Sequence, residues 1–251
     1  MRLRGKTALV TGGSRGLGLQ MAHALGEAGA RIMLSSRKAD ELEKAVADLE
    51  AAGIDARWTA ADCAVEADIH RLADETLERM GDIDILVNNA GAAWGAPAED
   101  HPLDAWDKVM NLNVRGYFLL SQRVAKKSMI ARKQGRIINI ASIAGLGGNP
   151  PEMQTIAYNT SKGAVVNFTR ALACEWGPRG VRVNALAPGY TETALVAELV
   201  AQGRLDPAAL VNRVMAGAGG FDEFFIFQTK GLTTYDTCKT KPSNGSDCDK
   251  N

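Results

Sequence analysis

Residues 7–28 read Thr-Ala-Leu-Val-Thr-Gly-Gly-Ser-Arg-Gly-Leu-Gly-Leu-Gln-Met-Ala-His-Ala-Leu-Gly-Glu-Ala, and their pattern decides the fold. The start, 7–10, is a short apolar run with the character of a buried strand, and from 19 onward apolar residues recur at helical spacing. Between them Gly12, Gly16 and Gly18 punctuate a turn that also holds Ser14, Arg15 and Leu17. A strand that passes through a glycine-rich turn into a helix is the first half of a βαβ unit. Missing side chains let such a turn approach a pyrophosphate, whose charge is favoured by the free N–H groups and dipole of the helix N-terminus. A glycine turn without any ligand is the alternative, made less favourable here by the strand before it and the helix after it.

Outward from this stretch the rhythm repeats. Apolar runs at 31–35, 56–60, 83–87, 136–140 and 181–185 alternate with long amphipathic segments. The expected fold is α/β: a doubly wound, Rossmann-like parallel sheet in a single domain over residues 1–216. Lys plus Arg equals Asp plus Glu, 29 each among 251 residues, so no overall field draws the chain to a nucleic acid or an anionic membrane. No apolar segment has the length of a membrane span or leads the chain as a signal, which points to a cytoplasmic protein. Cys63, Cys174, Cys238 and Cys248 form no Cys-x-x-Cys pair and His23, His70 and His101 have no ligand spacing, so neither a metal nor a disulfide is expected.

The end of the second strand bears on cofactor choice. An enzyme using the unphosphorylated dinucleotide places Asp or Glu about 20 residues beyond the glycine turn, to accept from the ribose 2′-OH. Here that place reads Ser35-Ser36-Arg37. Arg37, with Arg15 in the turn, suits a 2′-phosphate, so NADP is expected over NAD. A solvated strand-end arginine is the other reading, and Asp40 and Glu41 look like first-turn residues of the next helix.

Downstream, Tyr158 and Lys162 stand four apart in a helical segment and share a face, so the ammonium can favour the phenolate and let the tyrosine exchange protons near neutral pH. A packing tyrosine beside a surface lysine is the bland alternative.

Together these motifs resemble the short-chain dehydrogenase/reductase (SDR) family over roughly residues 4–195. The resemblance rests on the glycine turn, Asn88-Asn-Ala-Gly91, Asn113 in Asn-Val-Arg-Gly, Ser142, Tyr158-x-x-x-Lys162 and Pro188-Gly189, in the family's order. It implies that Tyr158 is the general acid in reduction and the base in oxidation, and that Lys162 lowers its pKa and bonds the nicotinamide ribose. It implies that Ser142 donates to the substrate carbonyl and that Asn113 holds a water in a proton relay. Asn89, Ala90 and Gly91 then meet the cofactor, Asp62 and Cys63 hold the adenine, and Pro188, Gly189, Thr191 and Thr193 lie near the nicotinamide amide. Ser142 also reads as a turn cap, and Asn88 as a structural tie. Cys63 is read as a lining residue, and the cluster Arg123, Lys126, Lys127, Arg132 and Lys133 as a solvated face.

The resemblance implies a small carbonyl or alcohol substrate, such as a 3-oxoacyl thioester, a sugar acid or a simple ketone, and a homo-oligomer. Past about 216 the chain departs from the family. Residues 217–251 form an atypical tail whose polar end has the composition of disorder, and the family's last helix and strand are not visible in it. A dinucleotide-binding protein with little turnover is therefore carried as an alternative.

Overall fold

The computed structural model describes residues 2–149, 151–189 and 201–202, and its centre is the parallel sheet that the strand–helix alternation calls for. In chain order the elements are β1 (Thr7–Thr11), α1 (Gly16–Glu27), β2 (Arg31–Ser36), α2 (Ala39–Ala51), β3 (Ala56–Ala60), α3 (Glu66–Met80) and β4 (Ile85–Asn88). There follow α4 (Leu103–Met110), a π-turn (Asn111–Arg115), α5 (Gly116–Val124), a second π-turn (Ala125–Met129), β5 (Gly135–Ile140), α6 (Ile156–Trp176) and β6 (Val181–Leu186). Strand order is β3-β2-β1-β4-β5-β6 with every pairing parallel, so the order reverses between β1 and β4. Loops leaving neighbouring strands in opposite directions open a crevice at that point.

Apolar runs become these strands because both faces are covered. Leu9, Met33, Leu86, Ile137 and Val183 point to one side, where they meet Leu72 of α3, Leu120 of α5 and Leu172 of α6. Their neighbours Ala8, Val10, Ile32, Leu34 and Val87 point to the other, against Ala22 of α1 and Leu42 and Leu49 of α2. The fourth strand starts later than its apolar run because Ile83 is tied to side chains. Its N–H donates to Ser128 Oγ at 3.0 Å, and its carbonyl accepts from Arg132 Nη2 at the same distance.

At the strands' amino ends Asp84 accepts from the Thr7 N–H, Lys6 and Arg132. Arg123 pairs with Asp74 of α3. These ties correct the reading of the basic cluster as a solvated face: Arg123 and Arg132 bind elements together. Thr191, Thr193 and the 217–251 tail lie outside the described residues. Among the described residues no helix is long and apolar enough to cross a membrane, and no group of His, Cys, Asp and Glu is placed to hold a metal.

Candidate active site

The glycine turn is held at the switch point by β4. Thr11 Oγ1 accepts from the N–H groups of Asn89 and Ala90, at 3.0 and 3.1 Å, and Asn89 Nδ2 donates to the carbonyls of Thr11 and Gly12. This closeness leaves no room for side chains. A Cβ on Gly18 would stand 2.2 Å from the Gly12 carbonyl oxygen and 2.6 Å from Asn89 Nδ2, and Gly12 itself is left-handed at φ +62°. The glycines therefore let the first turn of α1 close onto the β4 loop.

The turn forms one wall of a cleft of about 270 Å³. Gly12, Ser14 and Arg15 face Ser36, Arg37, Lys38 and Glu41 at one end, Ala61, Asp62 and Cys63 form the side, and Asn89, Ala90, Gly91 and Leu112 lead toward α6. Ser36 Oγ is buried without a hydrogen-bond partner on this wall. The Glu41 carboxylate is held below the usual carboxylate range, chiefly by its bond from Lys38 Nζ at 2.9 Å, with the Ser14 hydroxyl and Arg15 adding to it. Burial, with help from the charges of Asp62 and Asp68, pushes the Cys63 thiol up to about 12, so it is an inert lining group rather than a nucleophile.

At the far end of the cleft the backbone of Gly91 leads to the tyrosine–lysine pair. A Cβ built on Gly91 would lie 3.3 Å from Asn113 Oδ1 and 3.8 Å from Lys162 Nζ. Lys162 is buried, with its ammonium 5.7 Å from the centre of the Tyr158 ring and 5.5 Å from that of Tyr117. Its Nζ donates to the Ile140 carbonyl at 2.6 Å, which also accepts from Tyr117 Oη at 3.3 Å. Removal from water brings the Lys162 pKa down from 10.5 to about 7.

Ser142 caps a short turn (Ile143–Gly145), its Oγ accepting from the Ala144 N–H at 3.1 Å. An oxygen that accepts there keeps its own hydrogen to donate elsewhere. The turn is seated against α6 so closely that a Cβ on Gly145 would meet the Lys162 carbonyl carbon at 2.4 Å, which fixes Ser142 relative to the helix carrying Tyr158. Asn113 sits in the π-turn. Its amide donates to the Ala92 carbonyl and Ser161 Oγ and accepts from the Ala92 N–H, so only one lone pair of Oδ1 remains for the water expected of it.

Of the expected cofactor residues, Gly12, Ser14, Arg15, Ser36, Arg37, Asp62, Cys63, Asn89, Ala90 and Gly91 share the cleft. Gly16, Leu17 and Gly18 do not line it; they shape the turn behind it. Pro188 is tied to the Ser142 turn, its carbonyl accepting from the Ile143 N–H at 3.1 Å. Asn88 is structural: its Nδ2 donates to Ser121 and Asn139 inside the sheet. Sequence reasoning passed over Lys38, although it follows Arg37 directly, and Tyr117, which lies one helical turn beyond Asn113 and under Lys162.

A cleft at a switch point, a glycine turn packed too closely for side chains, an orphaned buried hydroxyl and cations at one end fit a nicotinamide dinucleotide. Ser36, Arg37 and Lys38 would face its adenosine ribose, Asp62 and Cys63 its adenine, and Gly91 and Lys162 its nicotinamide half.

Comparison with known proteins agrees with this geometry. The short chain dehydrogenase family model matches residues 6–204. Galactitol 2-dehydrogenase of Rhizobium johnstonii is 40% identical over 223 residues, covering 88% of this chain and 86% of that protein. A rhamnolipid-biosynthesis 3-oxoacyl-acyl-carrier-protein reductase of Pseudomonas aeruginosa is 42% identical over 190 residues, covering 74% of this chain and 73% of the relative. Among solved structures, a gluconate 5-dehydrogenase from Burkholderia cenocepacia in complex with NADP and tartrate superposes with a TM-score of 0.77 at 38% identity, covering 86% of this chain and 81% of that one.

Proposed function

Because the chain belongs to the short-chain dehydrogenase family, we propose that it is an NADP(H)-dependent oxidoreductase that interconverts a ketone and a secondary alcohol. A bound nicotinamide cofactor supplies or takes up the hydride. The protein supplies the proton and the polarisation. Tyr158 gives its phenolic proton to the carbonyl oxygen in reduction and recovers it in oxidation. The Lys162 ammonium, 5.7 Å from the centre of the Tyr158 ring, stabilises the phenolate formed when that proton leaves. Ser142 donates the hydrogen it keeps toward the same substrate oxygen, where negative charge develops.

The observation that carries this reading is the buried Lys162 ammonium set between Tyr158 and the Gly91 end of the cleft. Sugar alcohols, sugar acids and 3-oxoacyl thioesters are the substrate classes named by its relatives, and they define the panel to test. Family likeness also favours a homo-oligomer. Tyr158→Phe is expected to lower NADPH oxidation with a ketone from that panel about 10³-fold while NADPH still binds. Undiminished turnover would remove Tyr158 from the chemistry. A wild-type protein that binds NADPH but oxidises it with no member of the panel would instead be a dinucleotide-binding module.

A further inference from the structure

Glu41 sits in the first turn of α2, and its carboxylate reaches into the cation end of the cleft. It accepts from Ser14 Oγ at 3.1 Å and from Lys38 Nζ at 2.9 Å, and Arg15 Nη1 stands 3.9 Å away. The three donors come from two different loops, the one after β1 and the one after β2. A carboxylate and a phosphate monoester draw on the same donors, an ammonium, a guanidinium and a hydroxyl. Arg37 lines the same end of the cleft, next to the buried and unpartnered Ser36 hydroxyl.

We propose that Glu41 is a specificity-determining residue: an internal anion that holds Ser14, Arg15 and Lys38 as a 2′-phosphate would hold them, and that competes with that phosphate for them. The proposal rests on the cofactor reading above. A dinucleotide with a free 2′-OH leaves the Glu41 ties in place, whereas a 2′-phosphorylated one must take Lys38 and Arg15 from Glu41 and sit beside its charge. Glu41 thus narrows the preference for NADP(H) that Arg15, Arg37 and Lys38 create. Its other role, a first-turn acid favouring the dipole of α2, is shared by Asp40, so helix support alone does not explain its aim into the cleft.

The test is binding, not turnover. NADPH, NADH, 2′,5′-ADP and 5′-AMP are titrated into the wild type, Glu41→Gln, Lys38→Met and the double variant, with thermal melts to confirm folding. Glu41→Gln is expected to tighten NADPH and 2′,5′-ADP about 10-fold at low salt, to change NADH and 5′-AMP less than about 2-fold, and to lose most of its effect in about 0.5 M salt. Lys38→Met should weaken 2′,5′-ADP more in the Glu41→Gln background than in the wild type, because Lys38 is then released to the phosphate. Equal changes for the phosphorylated and unphosphorylated ligands, or none, would overturn the role of Glu41 and leave the cofactor reading standing if the wild type still prefers NADPH. Wild type and variants that all prefer NADH and ignore 2′,5′-ADP would overturn both.

Discussion

Lys162→Met isolates the energetic consequence of placing an ammonium inside this fold. Lys162 is 3% exposed, and burial brings its pKa from 10.5 to about 7. Each pH unit of separation between the folded and unfolded values is about 1.4 kcal/mol, so full protonation of the folded state opposes folding by about 5 kcal/mol relative to the neutral amine. The sign follows from proton counts. Between about pH 7 and 10.5 the unfolded chain holds a proton that the folded chain lacks, so this group makes stability rise with pH across that window and contributes no slope below it. From pH 7 to pH 9 the recovery is about 2 kcal/mol. Methionine has a similar volume and no charge, and after the substitution the Ile140 carbonyl keeps its bond from Tyr117 Oη. Allowing about 1–2 kcal/mol for the lost Lys162–Ile140 bond, Lys162→Met should be more stable than the wild type by about 3 kcal/mol at pH 7. The assay is urea unfolding of both proteins without cofactor at several pH values from 6 to 9, taking the difference so that all other titrating groups cancel. An advantage that shrinks by about 2 kcal/mol between pH 7 and 9 is the expected signature. A difference that stays flat over that interval, or a variant less stable than the wild type at pH 7, would refute the buried-ammonium argument.

Two further predictions probe the frame around the site. Asp84 feels burial, which opposes its charge, but the Thr7 N–H, Lys6 and Arg132 outweigh it and hold its pKa below the usual value. Its contribution is therefore present above about pH 4 and lost as pH falls through the folded pKa; Asp84→Asn should cost about 2–3 kcal/mol at pH 7 in urea melts, and the gap from wild type should narrow in acid. Gly18→Ala sets a Cβ 2.2 Å from the Gly12 carbonyl, whereas Gly16→Ala meets no atom within 4 Å and is strained only by its φ of +57°. The first is expected to lose at least about 3 kcal/mol and to weaken NADPH binding more than about 10-fold, the second to lose about 1 kcal/mol; similar losses for both would mean that the turn does not pack as described.

The sheet was legible because parallel strands covered on both faces must be apolar runs, and all six runs became strands. The tyrosine–lysine pair was legible for a similar reason, since a four-residue spacing on a helix has a single geometric meaning. What escaped were groups whose roles depend on contacts distant in sequence. Arg132 looks like any residue of a basic run until the fold brings Asp84, 48 positions away, against it. Glu41 reads as a helix-start acid, and only the meeting of the β1 and β2 loops turns it toward Ser14. The full commitment of the Asn113 N–H groups requires Ala92 and Ser161, neither of which a local pattern connects to it.

The position of Lys162 shows why the site sits where it does. A lysine on a solvated helix face holds its proton far above neutral pH and is a poor partner for proton exchange. The crevice at the strand ends lets the helix after β5 press its first turns against the sheet, so that the Ile140 carbonyl, Tyr117 and Tyr158 replace water around the ammonium. The shift that results opposes folding, and the same burial holds the amine beside Tyr158, where the proposed chemistry needs a cation. A variant that removes the charge should therefore gain stability and lose turnover together, because one burial produces both.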